Sequence, residues 1–266
     1  MAATPNAMPS RLIGELTFPE VSKLLRENSI LCLPIGSIEQ HGPHLPLNTD
    51  VVLAEEFTRR IIERWAESLD LWRLPTLSVS LAREHEWAPG NLSLSVQGMS
   101  TMIRELGREI VRALPARNLA IINGHGGNRG ILEALIQELR ADFGLNLCVM
   151  HPSNWAEVDA SAAIPEIHGG KNETSMMLAA APHLVRRDQM ALLKNAPDAA
   201  TIRTTILDRG VSWPWTTDDK RLADMGVIGD AQAASAEFGM KIFDQVVERA
   251  GGILKQLLDR QHLMRR

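Results

Sequence analysis

Glu39, His41 and Asp50 fall within twelve residues of one another, in the run Glu39-Gln40-His41-Gly42-Pro43-His44 and the six residues beyond it. Carboxylates and imidazoles are ligands for divalent cations, and no thiolate competes with them here. In an extended segment alternate side chains share a face, so Glu39 and His41 are expected to face one point. Asp50 also stands where it could simply cap the helix that follows. His125 lies in a second polar turn, Asn123-Gly124-His125-Gly126-Gly127-Asn128, whose glycines would let the backbone approach a bound group closely. Glu173 lies in a third cluster, Glu166-Ile167-His168-Gly169-Gly170-Lys171-Asn172-Glu173-Thr174-Ser175. It falls in the first turn of an expected helix, where an acid also favours the helix dipole. Three carboxylates and two imidazoles exceed the roughly three protein ligands of a single catalytic zinc. They point to two divalent ions sharing one carboxylate, with Zn²⁺ and Mn²⁺ the best matches to the donor set and Fe²⁺ a further one.

The elements that must position these residues alternate between short apolar runs and helical periods, the pattern of a layered α/β sheet. Strands are expected at Ile30 to Ile35, Leu74 to Leu81, Asn118 to Asn123 and Leu145 to His151. Leu53, Phe57, Ile61 and Trp65 recur every fourth residue and mark an amphipathic helix. Met99, Met102, Ile103, Leu106 and Ile110 mark a second, and Ile131, Leu135, Ile136 and Leu139 a third. A last long helix is expected from near Ala231, weakened or broken at Gly251-Gly252. The segment from Ala196 to Asp230, which carries Trp213-Pro214-Trp215, has no clear period and reads as a long ordered loop, either a functional cover or an interface element. His125 follows a strand, so it is expected on the same sheet edge as Glu39 and His41, where sites form in open α/β sheets. Glu84, His85 and Glu86 follow the second expected strand and either line the pocket or form a solvated loop.

The chain has 266 residues and a formal net charge of −4, which suits a single α/β domain over residues 12–266 after a flexible N-terminal stretch, 1–11. That charge gives no electrostatic footprint for nucleic acid, and a small-molecule substrate is the expected partner. Cys32 and Cys148 sit in apolar runs and read as reduced cysteines of a cytoplasmic protein. Neither a signal peptide nor a membrane-length apolar run is visible, so no membrane partner is expected.

At these residues the chain resembles the creatininase family of metal-dependent hydrolases. The matching blocks are Leu33 to Asp50, Glu84 to Leu94, Asn123 to Asn128, His168 to Ser175 and Gly226 to Asp230. The resemblance implies a three-layer α/β/α sandwich and a homo-oligomer, often a hexamer. It implies that Glu39 and His125 hold one metal ion, His41 the other, and that Asp50 bridges both. Creatininase itself has a metal-binding glutamate where this chain has Gly127, and the resemblance to other members makes Glu173 the fifth ligand. His168, by itself an ordinary turn residue, matches a histidine that handles protons and contacts substrate. Gly126 replaces a tyrosine of the creatininase pocket, a tryptophan-bearing insertion before His168 is missing, and Trp155 stands near another aromatic of that pocket. Creatinine is therefore not the expected substrate.

The expectation is a binuclear metal-dependent amidohydrolase cleaving a C–N bond in a cyclic or formyl amide. It would have His168 as the catalytic proton carrier, and Glu84, His85, Gly126 and Trp155 at the substrate. Two alternatives stand beside it: a hydrolase of a lactone or oxidised cyclic polyol using the same metal site, and a non-catalytic metal-dependent binding protein.

Overall fold

The computed structural model describes residues 11–155, 164–194, 197–208 and 210–261. Four strands, β1 (Ile30–Ile35), β2 (Leu71–Arg73), β3 (Asn118–Asn123) and β4 (Asn146–Met150), form one parallel sheet in the order β2-β1-β3-β4. A short helix α1 (Phe18–Leu24) precedes β1, and α2 (Thr49–Leu69), α3 (Val96–Ala113) and α4 (Arg129–Phe143) lie between strands. Parallel neighbours require such crossovers, because a tight turn cannot return the chain to the same end of the sheet. After β4 come α5 (Lys171–Ala180), the single turn α6 (Ala199–Ile202) and the long α7 (Ala236–Asp259).

Strand alternation divides the core into two. Ile30, Cys32, Ala120 and Ile122 pack with Leu53, Phe57 and Ile61 of α2, Met176 and Met177 of α5, and Ile242, Phe243 and Val246 of α7. The intervening residues Leu31, Leu33, Ile35, Leu119 and Ile121 pack with Met99, Ile103 and Ile110 of α3 and Leu132, Leu135 and Leu139 of α4. Both faces of the sheet are thus covered by helices, which is the expected three-layer α/β/α arrangement. Phe57 and Phe243 meet edge to face with ring centres 5.2 Å apart, a geometry worth about 0.5–1.5 kcal/mol beyond the buried area. No helix among the described residues is long and apolar enough to cross a membrane.

Three expectations about elements are corrected. The strand expected at Leu74 to Leu81 is instead β2 at Leu71–Arg73. Pro75 has no N–H to give to the ladder. Beyond it the backbone hydrogen-bonds to β1 at Leu77, whose N–H donates to Pro34 O at 3.0 Å. The helix expected from Ala231 begins at Ala236, where the Ser235 hydroxyl accepts from Phe238 N. It runs unbroken through Gly251 and Gly252. Gly251 is required by packing: a Cβ there would lie 2.4 Å from Cε2 of Trp65, a residue of α2 that packs on α7. The segment expected as a loop from 196 to 230 contains α6 and a wider π-helical turn at Arg203–Leu207.

Residues 1–10 of the expected flexible stretch lie outside the described residues. Arg11 is anchored, with its guanidinium 2.9 Å from the Asp70 carboxylate.

Candidate metal centre

Glu39 and His41 follow the C-terminal end of β1, but not in a strand. The strand stops at Ile35, and the chain folds into a turn in which His41 pairs with Leu45 and Glu39 N donates to Leu47 O. Asp50 is the second residue of α2 and the cap position is Asn48, so its carboxylate is free to face the sheet edge. His125 follows the adjacent strand β3. Glu173 is in the first turn of α5, where its Oε2 accepts the Gly169 N–H at 2.6 Å.

The structure brings all five together. His125 Nδ1 lies 3.1 Å from both Glu39 Oε2 and Asp50 Oδ2. His41 Nε2 lies 3.1 Å from Asp50 Oδ1, 3.7 Å from Glu173 Oε2 and 3.9 Å from Glu39 Oε1. Three sets of three potential ligand atoms result, Glu39/Asp50/His125, His41/Asp50/Glu173 and Glu39/His41/His168, the first two sharing Asp50. A tetrahedron with bonds of about 2.1 Å has edges of roughly 3.4 Å, which these separations bracket.

Satisfaction of the buried atoms points the same way. Glu39 is fully buried, yet among the described residues neither of its carboxylate oxygens, nor Asp50 Oδ2, accepts a well-aligned hydrogen bond; the nearby nitrogens are those of His125 and His85. Leaving such acceptors bare in a protein interior costs several kcal/mol, and divalent cations would offset that cost. The residues present therefore fit two such ions.

Protonation in the metal-free pocket shows how strongly the charges are coupled. Burial opposes the charged form of Glu39, but the neighbouring His125 outweighs it and holds the carboxyl down at about 2. Asp50 is likewise lowered, against burial, by His41 and His125. Burial pushes Glu173 up to about 7 despite the nearby His41. His41 is raised to about 9 because Asp50, Glu173 and Glu39 overcome its burial, and His125 rises well above its usual value for the same reason.

His168 differs from the other two imidazoles in its protonation. Burial, reinforced by His85 and His41, lowers it well below the ordinary histidine range. Its Nε2–H donates to Gln40 O at 2.5 Å, which leaves Nδ1 with its lone pair, 3.7 Å from Glu39 Oε1. The ring packs between His41 and His85, with centroids 4.2 and 4.1 Å away. A recess of about 50 Å³ opens beside it, lined in part by Ser153, Asn154, Asn172 and Glu173.

Of the residues expected at a substrate, His85 and Glu84 border the cluster. His85 Nε2 is 3.3 Å from Glu39 Oε1, and Glu84 Oε1 is 3.6 Å from His125 Nε2. Gly126 borders open space, with nothing within 4 Å of where a Cβ would stand. Trp155 is not brought to the recess. It packs against the α7 side of the core with the Arg249 guanidinium 5.1 Å over its ring, and its neighbours Ser153 and Asn154 line the recess instead. Ala162 and Ala163, where the tryptophan-bearing insertion is missing, lie outside the described residues.

Two residues had not been singled out. Gln40, inside the first motif, has its Nε2 within 3.2 Å of His85, His168, Thr217 and the Gly226 carbonyl, while its Oε1 accepts from Gly42 N. Gly226 has φ +87°, and a Cβ there would come within 2.2 Å of Gln40 Oε1, so the amide and the glycine specify each other. Thr217 Oγ1 lies 2.8 Å from His85 Nδ1 and accepts from Trp87 Nε1 at 2.9 Å. Gln40 was visible by its place between two ligands. Nothing local marks Thr217, which meets Gln40 across 177 residues.

Comparison with known proteins identifies the family. The creatininase (creatinine amidohydrolase) family profile matches residues 14–254. The mycofactocin precursor peptide peptidase of Mycobacterium tuberculosis is 30% identical over 243 residues, covering 89% of each chain. The creatinine amidohydrolase of Pseudomonas putida is 27% identical over 268 residues, covering 93% of this chain and 97% of the relative. A solved structure described as creatininase Mn superposes with a TM-score of 0.71 at 25% identity, covering 93% of this chain and 98% of that one. The chain belongs to the creatininase family and is a hydrolase.

Proposed function

We propose that the protein hydrolyses an amide C–N bond with two divalent metal ions, one held by Glu39, Asp50 and His125 and the other by His41, Asp50 and Glu173. The observation that carries this reading is the pair of three-atom sets sharing Asp50, with buried carboxylate oxygens that accept no aligned hydrogen bond among the described residues. Such ions supply Lewis-acid polarisation of a carbonyl and make a water more acidic, from a pKa of about 15.7 towards 7 on a good zinc site.

The chain's own groups supply the rest. His168 is neutral at neutral pH and offers Nδ1, because Gln40 O holds the proton at Nε2. It takes a proton from the attacking water and delivers it to the leaving nitrogen. His41 Nδ1 lies 3.2 Å from Glu39 O; donation there fixes the tautomer that presents Nε2 to the cluster. Asn154, Asn172 and Ser153 give the recess neutral hydrogen-bonding groups beside Glu166 and Glu173, and among the described residues no lysine or arginine lines it. That lining suits an uncharged amide better than an anionic group.

Cyclic and formyl amides remain substrates to test. The open rim at Gly126, together with the similarity to a peptidase, adds short peptides. Metal analysis of the purified protein followed by turnover of a panel of cyclic amides, formamides and peptides tests the reading. Two equivalents of metal and release of an amine, ammonia or formate are expected. Failure to retain or take up Zn²⁺ or Mn²⁺ would refute it.

A further inference from the structure

We infer that Glu84 and His85, adjacent on the 3₁₀ turn Arg83–His85, position the ligands of one metal ion and leave the other untouched. The inference rests on the binuclear reading and adds to it a selective outer support.

His125 presents Nδ1 to Glu39 and Asp50. A neutral imidazole that offers one nitrogen as a lone pair carries its proton on the other. That other nitrogen, Nε2, is buried and has no hydrogen-bond partner. The acceptor beside it is Glu84 Oε1 at 3.6 Å, about half an ångström beyond hydrogen-bond range and within reach of a small ring rotation. The space between them is reserved by the sequence: a Cβ on Gly127 would lie 2.4 Å from His125 Nε2 and 2.5 Å from Glu84 Oε1. Glycine at 127 therefore leaves room for this carboxylate and imidazole to approach each other.

The next residue supports the other ligand of the same set. His85 Nδ1 faces the Gln40 amide at 3.0 Å and the Thr217 hydroxyl at 2.8 Å, which places its proton on Nε2, 3.3 Å from Glu39 Oε1. The turn is itself fixed from outside, because the Glu84 carbonyl accepts from Thr217 N at 3.0 Å. Neither Glu84 nor His85 has an ion pair with His41, and Glu173 is held by the Gly169 N–H. A carboxylate or imidazole behind a ligand sets its orientation and basicity, and its loss costs about 10–100-fold in metal affinity.

Titration of metal-free protein with Zn²⁺ in the presence of a competing chelator tests this for Glu84→Gln, with Glu86→Gln as the control from the same loop. Wild type should show two affinities. In E84Q one should weaken about 10–100-fold while the other holds, and E86Q should change neither. With Co²⁺ as the probe, the visible absorption of one of the two equivalents should shift in E84Q, a change that altered folding stability alone would not give. Two unchanged affinities, or two that fall equally, would overturn the inference and leave the binuclear reading intact. A wild-type protein that takes up fewer than two ions overturns that reading, and the inference with it.

Discussion

Gly251 and Gly252 make a paired test of how α7 seats on α2. Gly251 is buried against Trp65, and a Cβ would stand 2.4 to 2.9 Å from three atoms of its indole. The ring cannot yield freely, since Arg64 lies 4.3 Å over it and its Nε1 donates to Val247 O at 2.8 Å. Gly251→Ala gains about 1 kcal/mol of helix propensity. It meets roughly 1–3 kcal/mol of overpacking and loses about 1 kcal/mol if the indole hydrogen bond breaks. The net expectation is a destabilisation of about 1–3 kcal/mol. Gly252 is exposed with nothing within 4 Å of its Cβ position, so Gly252→Ala keeps the propensity gain and stabilises by about 0.5–1 kcal/mol. Guanidinium unfolding with an unchanged slope reads both as shifts of midpoint in opposite directions. Midpoints moving the same way would show that Trp65 does not constrain position 251, and the reasoning would fail.

Asp50→Asn should abolish tight binding of both ions, whereas Glu173→Gln should weaken only one; elemental analysis after dialysis distinguishes them. His168→Ala should retain both ions and lose about 10²- to 10⁴-fold in kcat; unchanged turnover would remove it from the mechanism. Metal uptake should release protons and strengthen as pH rises. His41 in the metal-free fold is raised from 6.5 to about 9, so at pH 7 it is charged and must give up its proton to bind. Calorimetry in buffers of differing ionisation enthalpy should find on the order of two protons displaced near pH 7. The same shift sets a stability trend. Protonated His41 stabilises the metal-free fold fully below about 6.5, and that contribution disappears as pH passes 9.

The sheet centre and the candidate cluster could be read from the chain because both are local signals. β1 and β3 fall at the expected residues, and Glu39, His41 and Asp50 lie within a single stretch of twelve. Glu39 and His41 do converge, but through the His41–Leu45 turn and not through strand alternation. Pro75 displaced the second strand because an apolar composition cannot show a missing donor. The glycine pair in α7 reads as a break until its neighbour Trp65, nearly 190 residues earlier, is placed. Trp155 was assigned to the pocket by analogy, and its contact with Arg249 belongs to tertiary packing that no spacing encodes. Thr217 was hidden for the same reason: its partners come from two distant parts of the chain, Gln40 and the loop of Glu84 and His85.

The register between the two central strands acts as a ruler for the ligands. Ile35 is paired with Asn123, and Gly124 N donates to Ile35 O at 2.8 Å immediately before His125. A slip of two residues would keep every side chain on its proper face and preserve the apolar pattern. It would also carry His125 about 7 Å along the sheet, well outside its 3.1 Å contacts with Glu39 and Asp50. Hydrophobic burial alone tolerates that error, whereas the proposed ion binding would not. With the proposed ions bound, the register in which these ligands close would be favoured over such a slip.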